Sequence, residues 1–138
     1  YVFTASLPPS VVASATVNLG LVQKGGALRK RLMRNAKKLQ TGLSALGLQV
    51  ASEDSPVVAV VAPDPQTAAV FWRGLIEAGV YVNLALPPAT PFGYSLLRAS
   101  LCAAHTEEQI DDVIAIFADV ASRLGLIAPA EPQRTAVG

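Results

Sequence analysis

The chain has 138 residues, of which 51% are hydrophobic and 15% are charged, and its formal net charge is +1. This composition suits one folded domain, argues against a disordered chain and gives no sign of a polyanionic partner such as nucleic acid. The single cysteine excludes an internal disulfide framework and fits a reducing compartment, so we expect a cytoplasmic protein.

Two helices are predicted in the first third of the chain. Pro8 and Pro9 suit a first helical turn, and the Ala/Val-rich residues 10–22 predict a buried helix that Gly25-Gly26 ends. Residues 27–46 predict a basic amphipathic helix, because their apolar side chains recur at spacings of three and four. These side chains are Leu28, Leu32, Ala36, Leu39, Leu43 and Leu46.

The rest of the chain alternates short β-branched runs with helices. Strands are predicted at residues 49–51, 57–61, 80–83 and 96–101, and a helix is predicted at residues 65–78. The prolines of residues 87–91 exclude regular structure there. Thr106 and Gln109 form a capping box that begins a last helix, which ends at Gly125.

This order of elements predicts an α+β fold, with a small antiparallel or mixed sheet that is covered by helices. Residues 128–138 are small, polar and proline-containing, and we expect a disordered tail there. The chain starts at Tyr1 without an initiator Met or a basic leader, so we expect it to be part of a longer protein.

Arg98 lies inside an otherwise apolar predicted strand, Leu96-Leu97-Arg98-Ala99-Ser100-Leu101. A buried guanidinium needs a partner, because an unpaired buried charge is very costly. Three interpretations stay open at this point: a ligand carboxylate held by the planar guanidinium, an internal salt bridge, or a strand-edge arginine that reaches solvent.

Two other pairs of residues could carry chemistry. Thr4 and Ser6 precede the predicted helix start, where a hydroxyl serves more often as a helix cap than as a phosphate ligand. Cys102 and His105 are formally a nucleophile pair, but a buried inert thiol and a locally hydrogen-bonded imidazole are the simpler interpretation. One Cys and one His also argue against a metal site.

The second predicted helix is strongly basic. It holds six of the eleven Lys and Arg residues of the chain: Arg29, Lys30, Arg31, Arg34, Lys37 and Lys38. A solvated face is the usual meaning of such a cluster. An anionic partner such as the phosphates of coenzyme A, or a peripheral membrane contact, is the alternative.

Three segments between them carry a family resemblance. They are Tyr1-Val2-Phe3-Thr4-Ala5-Ser6-Leu7-Pro8-Pro9, Pro87-Pro88-Ala89-Thr90-Pro91, and Leu97-Arg98-Ala99-Ser100-Leu101-Cys102-Ala103-Ala104-His105-Thr106. They resemble segments of the α-oxoamine synthases, which are class II aminotransferase-like pyridoxal-phosphate enzymes of fold type I. Within that family they are most similar to the bacterial serine palmitoyltransferases.

The resemblance implies the C-terminal part of a homodimeric acyltransferase with shared active sites. Such an enzyme uses pyridoxal 5'-phosphate to join L-serine to a long-chain acyl-CoA with loss of carbon dioxide, giving a 3-keto sphingoid base for sphingolipid biosynthesis. The resemblance assigns Thr4 and Ser6 to the cofactor phosphate and Arg98 to the substrate carboxylate. It makes residues 1–26 a link from a large cofactor domain and residues 27–127 a small α+β domain.

The resemblance also implies that the lysine that binds the cofactor lies outside the chain, so the chain alone is expected to be inactive. Leu86 is a departure, because close bacterial relatives tend to carry a second arginine there. Two alternatives remain. One is another α-oxoamine synthase, such as aminooxononanoate synthase or a glycine-using ligase, and the other is a non-catalytic module that retains the domain.

Overall fold

The computed structural model describes residues 6–51 and 54–127, and within these ranges the chain forms four α-helices and three β-strands. The helices are α1 (Pro9–Lys24), α2 (Gly26–Ala45), α3 (Pro65–Glu77) and α4 (Glu107–Arg123). The strands are β1 (Val57–Ala62), β2 (Asn83–Ala85) and β3 (Ser95–Ser100). The predicted α+β fold is confirmed. The predicted tail at residues 128–138 lies outside the described residues, and the division at residues 26 and 27 stays a prediction.

The three strands form one antiparallel sheet in the order β1-β3-β2, so β3 is central. Burial alternates along β1 and β3, as expected for strands with one covered face. Val58, Val60 and Leu97 point into the core. The predicted strand at residues 49–51 is reduced to a single bridge between Val50 and Val60.

The strand predicted at residues 80–83 is wrong in its position. Val80 and Val82 are buried, but their backbone groups bond to α3 and its end rather than to a strand. The Val80 N–H donates to the Leu75 carbonyl at 2.8 Å, and the Val82 carbonyl accepts from Nε1 of Trp72 at 2.9 Å. The strand therefore begins only at Asn83. The β-branched run indicated burial and not strand pairing.

Helices α2, α3 and α4 pack on the covered face of the sheet and enclose the core. Phe71 of α3 and Phe117 of α4 are fully buried and meet edge to face, with ring centroids 5.6 Å apart. Leu39 and Leu43 of α2 complete this cluster. Burial of each such side chain contributes about 1.5–3 kcal/mol, so the core accounts for most of the stability of this layer.

Local signals fix where α4 begins. The predicted capping box is present, because Oγ1 of Thr106 accepts from the Gln109 N–H at 3.2 Å and Oε1 of Gln109 accepts from the Thr106 N–H at 3.0 Å. Buried Asn35 of α2 ties this same end to the neighbouring helix, since its Nδ2 donates to the His105 carbonyl at 2.8 Å. The start of α4 is therefore fixed both by its own capping box and by the hydrogen bond from Asn35 of α2.

Two glycines allow close packing of the helices against α4. A Cβ at Gly42 of α2 would lie 2.4 Å from Cδ1 and 2.9 Å from Cγ1 of Ile114. A Cβ at Gly74 of α3 would lie 2.7 Å from Cγ1 of Val120. These contacts leave no room for a side chain, so the missing Cβ atoms set the spacing of the helix layer.

Helix α1 differs from the other helices, because it buries none of its residues. Val17, Leu19 and Leu21 are all more than 60% exposed. The prediction of a buried helix is therefore wrong for the part of the chain that the structure describes, where no element covers α1. Leu28 at the start of α2 is exposed too, unlike the rest of its predicted stripe. Across residues 6–51 and 54–127, none of the helices combines the length and apolar character that membrane crossing requires.

Candidate functional site

The sheet has one face that the helices leave uncovered, which we call the open face. The residues of β1, β2 and β3 that point to this side are Val57, Ala59, Val61, Asn83, Ala85, Leu96, Arg98 and Ser100. Most of them are apolar or small. Polar atoms on this face therefore stand out against an apolar background, and they concentrate around Arg98.

Arg98 occupies the middle of the central strand, directly opposite Ala59 on β1 and Asn83 on β2. Its side chain is exposed, so the guanidinium is not a buried charge, and of the open interpretations the two in which it reaches solvent or a ligand fit this position. Strand alternation is the reason, because Leu97 and Ala99 take the buried face and turn Arg98 outward. Within residues 6–51 and 54–127 the guanidinium has neither a hydrogen bond nor an ion pair, which removes the internal salt bridge as an explanation there.

Asn83 and Tyr81 are polar neighbours of Arg98 that the sequence interpretation did not select. The Tyr81 hydroxyl donates to Oδ1 of Asn83 at 3.2 Å, and both side chains are exposed. Directly opposed residues of an antiparallel pair have Cβ atoms about 4.5–5.5 Å apart, which brings Asn83 close to Arg98. The sequence does contain an indication of this pair, because residues two apart in an extended segment, such as Tyr81 and Asn83, point to the same side.

The loop between β2 and β3 closes one end of the strand pair that carries Asn83 and Arg98. It is irregular, as predicted, with a cis bond between Pro87 and Pro88 and a short 3-10 turn at Pro91–Gly93. Phe92 in this turn has a φ of 57° and is 90% exposed. At the base of the loop, Leu86 is half-buried against the core and thus serves packing.

Of the two hydroxyl residues near the start of the chain, the structure describes only Ser6, and no contact within the described residues joins it to Arg98. Ser6 is exposed in a bend before α1, and Thr4 lies outside the described residues. The helix cap interpretation is wrong for Ser6, because Pro8 is the N-cap and no side chain caps α1. The Ser6 hydroxyl therefore has no role in starting this helix.

Cys102 and His105 form a turn and not a nucleophile pair. Nδ1 of His105 accepts from the Cys102 backbone N–H at 3.3 Å, so the imidazole makes the local hydrogen bond that the simpler interpretation expected. The Cys102 thiol is exposed and not buried as that interpretation assumed. No group of three or more metal-ligating side chains occurs in the described part of the chain.

Three of the six basic residues of α2 contact the start of α4 or the residues just before it. Lys38 pairs with Asp111 at 2.7 Å and Arg34 pairs with Glu107 at 3.5 Å. Arg31 donates to the backbone carbonyls just before α4 at 3.3 and 3.4 Å. These contacts give the basic helix a structural role in joining α2 to α4.

The carboxylates with lowered pKa values also belong to helix starts. The pKa of Asp64 is below its ordinary value of 3.8, mainly because the Thr67 hydroxyl donates to it, and also because the N–H groups of Thr67 and Gln66 do. The pKa of Glu108 is lowered by its own backbone N–H and then by the Thr106 hydroxyl. Neither carboxylate lies on the open face.

Residues 1–117 match the family of class I and II aminotransferases. The chain belongs to this family. Serine palmitoyltransferase from Caulobacter vibrioides (strain NA1000 / CB15N) is 50% identical over 134 residues, which are 97% of this chain and 33% of that protein. The 2-amino-3-ketobutyrate coenzyme A ligase of Escherichia coli (strain K12) is 36% identical over 128 residues, which are 93% of this chain and 32% of that ligase. The chain thus spans about a third of the length of these relatives.

Solved structures agree with the sequence matches. Serine palmitoyltransferase from S. paucimobilis with a bound PLP-myriocin aldimine is 46% identical, with a TM-score of 0.81 over 92% of this chain and 32% of that one. The Sphingomonas wittichii enzyme is 44% identical, with a TM-score of 0.80 over 92% of this chain and 32% of that one. The resemblance seen in the sequence is confirmed at the level of the family and of its most similar members.

Proposed function

We propose that the chain is the C-terminal part of a serine palmitoyltransferase-like enzyme, a pyridoxal-phosphate-dependent acyltransferase. The intact enzyme condenses L-serine with a long-chain acyl-CoA, releases carbon dioxide and free coenzyme A, and gives a 3-keto sphingoid base. The observation that carries this proposal is the position of Arg98. It is an unpaired guanidinium among the described residues, at the centre of the open face of a chain that is 50% identical to a serine palmitoyltransferase.

In this proposal Arg98 binds the carboxylate of the amino acid. Its two parallel N–H donors match the two oxygens of a carboxylate, which gives direction as well as attraction. The central strand is hydrogen-bonded on both sides, so the base of the side chain is held firmly. Orientation of the carboxylate sets the direction of the bond that breaks when carbon dioxide leaves, and orientation of this kind lowers the barrier.

The residues around Arg98 suit this role. Ala59 on the neighbouring strand leaves space beside the guanidinium, while Val61 and Leu96 are apolar. When a substrate and the rest of the enzyme cover this face, the loss of water strengthens the attraction between guanidinium and carboxylate. Among the described residues of this mostly apolar face, the exposed charge of Arg98 is therefore suited to a ligand that brings its own negative charge.

The cofactor is pyridoxal 5'-phosphate, which when bound supplies the electron sink that decarboxylation requires. Ser6 and Thr4 donate their hydroxyls to its phosphate across the interface of a homodimer. The exposed hydroxyl of Ser6, which takes no part in capping α1, is consistent with this assignment. Each hydrogen bond to a charged group contributes about 1.5–3 kcal/mol.

The lysine that holds the cofactor covalently lies outside this chain in our proposal, so the chain by itself is inactive. The four lysines of the chain are Lys24, Lys30, Lys37 and Lys38, and all are on α1 or α2. None is on the open face with Arg98. Lys38 is already paired with Asp111, which further argues against a cofactor role for it.

The intact enzyme is proposed to be a cytoplasmic homodimer whose subunits share their active sites. The ion pairs of Arg34 and Lys38 with α4 favour a structural role for the basic helix over a peripheral membrane contact.

The test is to supply full-length protein and pyridoxal phosphate with L-serine, glycine or L-alanine, each with palmitoyl-CoA or acetyl-CoA. We expect carbon dioxide and a long-chain ketone from L-serine with palmitoyl-CoA, and none from the isolated 138-residue chain. Preference for glycine with acetyl-CoA would instead identify a glycine-using ligase. No turnover with any pair, in a protein that binds the cofactor, would favour the non-catalytic module.

A further inference from the structure

Asn83 is the polar side chain that strand pairing places directly opposite Arg98 on the open face. Asparagine is depleted in strands, because its amide competes for backbone hydrogen bonds and packs poorly. Strand formation alone therefore does not explain an asparagine at the start of β2. The hydrogen bond that Asn83 accepts from Tyr81 indicates a role for its side chain.

The Tyr81 hydroxyl donates to Oδ1 of Asn83 at 3.2 Å, which sets the orientation of the amide. With its oxygen engaged, the amide has its Nδ2 group left to donate. No described residue accepts a hydrogen bond from Nδ2. Tyr81 and Asn83 thus present an oriented N–H donor beside a guanidinium that also has no acceptor in the described part of the chain.

We propose that Asn83 is a second ligand of the amino-acid carboxylate, acting together with Arg98, and that Tyr81 is the positioning residue of its amide. This inference rests on the proposed function. A carboxylate accepts about four hydrogen bonds, so a bidentate arginine leaves room for a further donor. A neutral amide adds a directed N–H donor without a second positive charge.

The geometry makes a specific prediction about charge. Asn83→Asp replaces the donor by a carboxylate of the same shape, directly opposite Arg98. That carboxylate forms an ion pair with the guanidinium and competes with the substrate. Asn83→Asp is therefore expected to harm serine binding more than Asn83→Ala, although it changes the side chain less.

The experiment uses the full-length protein loaded with pyridoxal phosphate. L-Serine and 2-amino-1,3-propanediol, which lacks the carboxylate, are each titrated against the absorbance of the cofactor. We expect Asn83→Ala to weaken L-serine binding about tenfold, Asn83→Asp to weaken it further and Tyr81→Phe to weaken it a few-fold. The affinity for the diol is expected to stay unchanged in all three variants.

Ser100→Ala is the matched control, since Ser100 lies on the same face two residues beyond Arg98 and opposite Val57. It should change neither affinity, and thermal denaturation should be the same for wild type and Asn83→Ala. If Asn83→Ala leaves L-serine affinity intact, or weakens both ligands equally, the inference is wrong. Wild-type protein that binds the diol as well as L-serine would overturn it too.

The outcome is separable from that of the proposed reaction. Protein that binds L-serine with this carboxylate dependence but transfers no acyl group would contradict the proposed acyltransferase and leave the assignment of Asn83 supported. Should Asn83→Asp fail to fold, the ratio of the two affinities in Asn83→Ala still decides the question.

Discussion

The two faces of the central strand β3 differ in burial and in polarity. Leu97 and Ala99 point into a core where Leu97 is fully buried, whereas Arg98 and Ser100 on the other side remain exposed. The same backbone hydrogen bonds hold both sets of side chains. We therefore expect the covered face to provide most of the stability of the domain, and substitutions of the exposed side chains of the open face to affect folding little.

Truncation of one leucine on each face of β3 measures how much each face contributes to stability. Leu97→Ala should lower the free energy of unfolding by about 2–5 kcal/mol, because it leaves a cavity in the core. Its neighbour Leu96 is half-buried on the open face, so Leu96→Ala should cost clearly less. Urea denaturation of the 138-residue chain measures both. Equal losses would mean that the two faces do not differ as described.

The second test measures substrate binding instead of stability. In the full-length protein, Arg98→Ala should weaken L-serine binding by about 1.5–3 kcal/mol, because a charge-assisted contact is lost. Arg98→Lys keeps the charge without the planar donor pair, so its L-serine affinity should lie between those of the wild type and Arg98→Ala. The melting temperature and the cofactor affinity should hardly move, since Arg98 has no partner among the described residues. A variant that unfolds, or that retains serine affinity, contradicts the carboxylate role.

A third test measures whether the helices above the covered face are as tightly packed as the face itself. Gly42→Ala places a methyl group against Ile114 and should lower the free energy of unfolding by about 1–3 kcal/mol. Gly20→Ala in α1 is the matched control, because no atom lies within 4 Å of a Cβ there. That change should raise helix propensity by about 0.5–1 kcal/mol without a clash. Circular dichroism during urea titration measures both changes, and we expect a lower free energy of unfolding for Gly42→Ala but not for Gly20→Ala.

The smallest expected effect is a pH dependence at the start of α3, away from both faces. The pKa of Asp64 is lowered in the folded chain, so its carboxylate adds stability that is fully present above its ordinary value of 3.8. This contribution is lost as the pH falls below 3.8 towards the lowered pKa. Asn caps a helix without titrating, so Asp64→Asn should remove the pH dependence while Asp64→Ala also loses the cap. Denaturation midpoints across this range that are equal in wild type and Asp64→Asn would contradict the assignment.

Periodicity and turn residues were enough to predict most elements. The capping box at Thr106, the break at Gly25 and the buried run of β1 depend on neighbouring residues only, so they could be seen in the sequence. The position of β2 could not, because the Val82 carbonyl is taken by Trp72, ten residues earlier on another element. Pairing between distant segments decides which apolar run becomes a strand.

The candidate site was partly predictable for the same reason. Arg98 stood out as a charge among apolar residues, and the resemblance gave it a role. Its exposure followed from which neighbours face the core, which depends on the register of β3 with β1. Asn83 was not selected, because its closeness to Arg98 exists only once β2 and β3 pair.

The indole of Trp72 has a practical consequence. It is the single tryptophan of the chain, and its Nε1 is bonded to the carbonyl of Val82, the residue directly before Asn83. Its fluorescence is therefore a built-in optical reporter of the joint between α3 and the strand that enters the open face. Release of that bond to water should shift the emission to longer wavelength, so local opening beside Asn83 can be timed without attaching a dye.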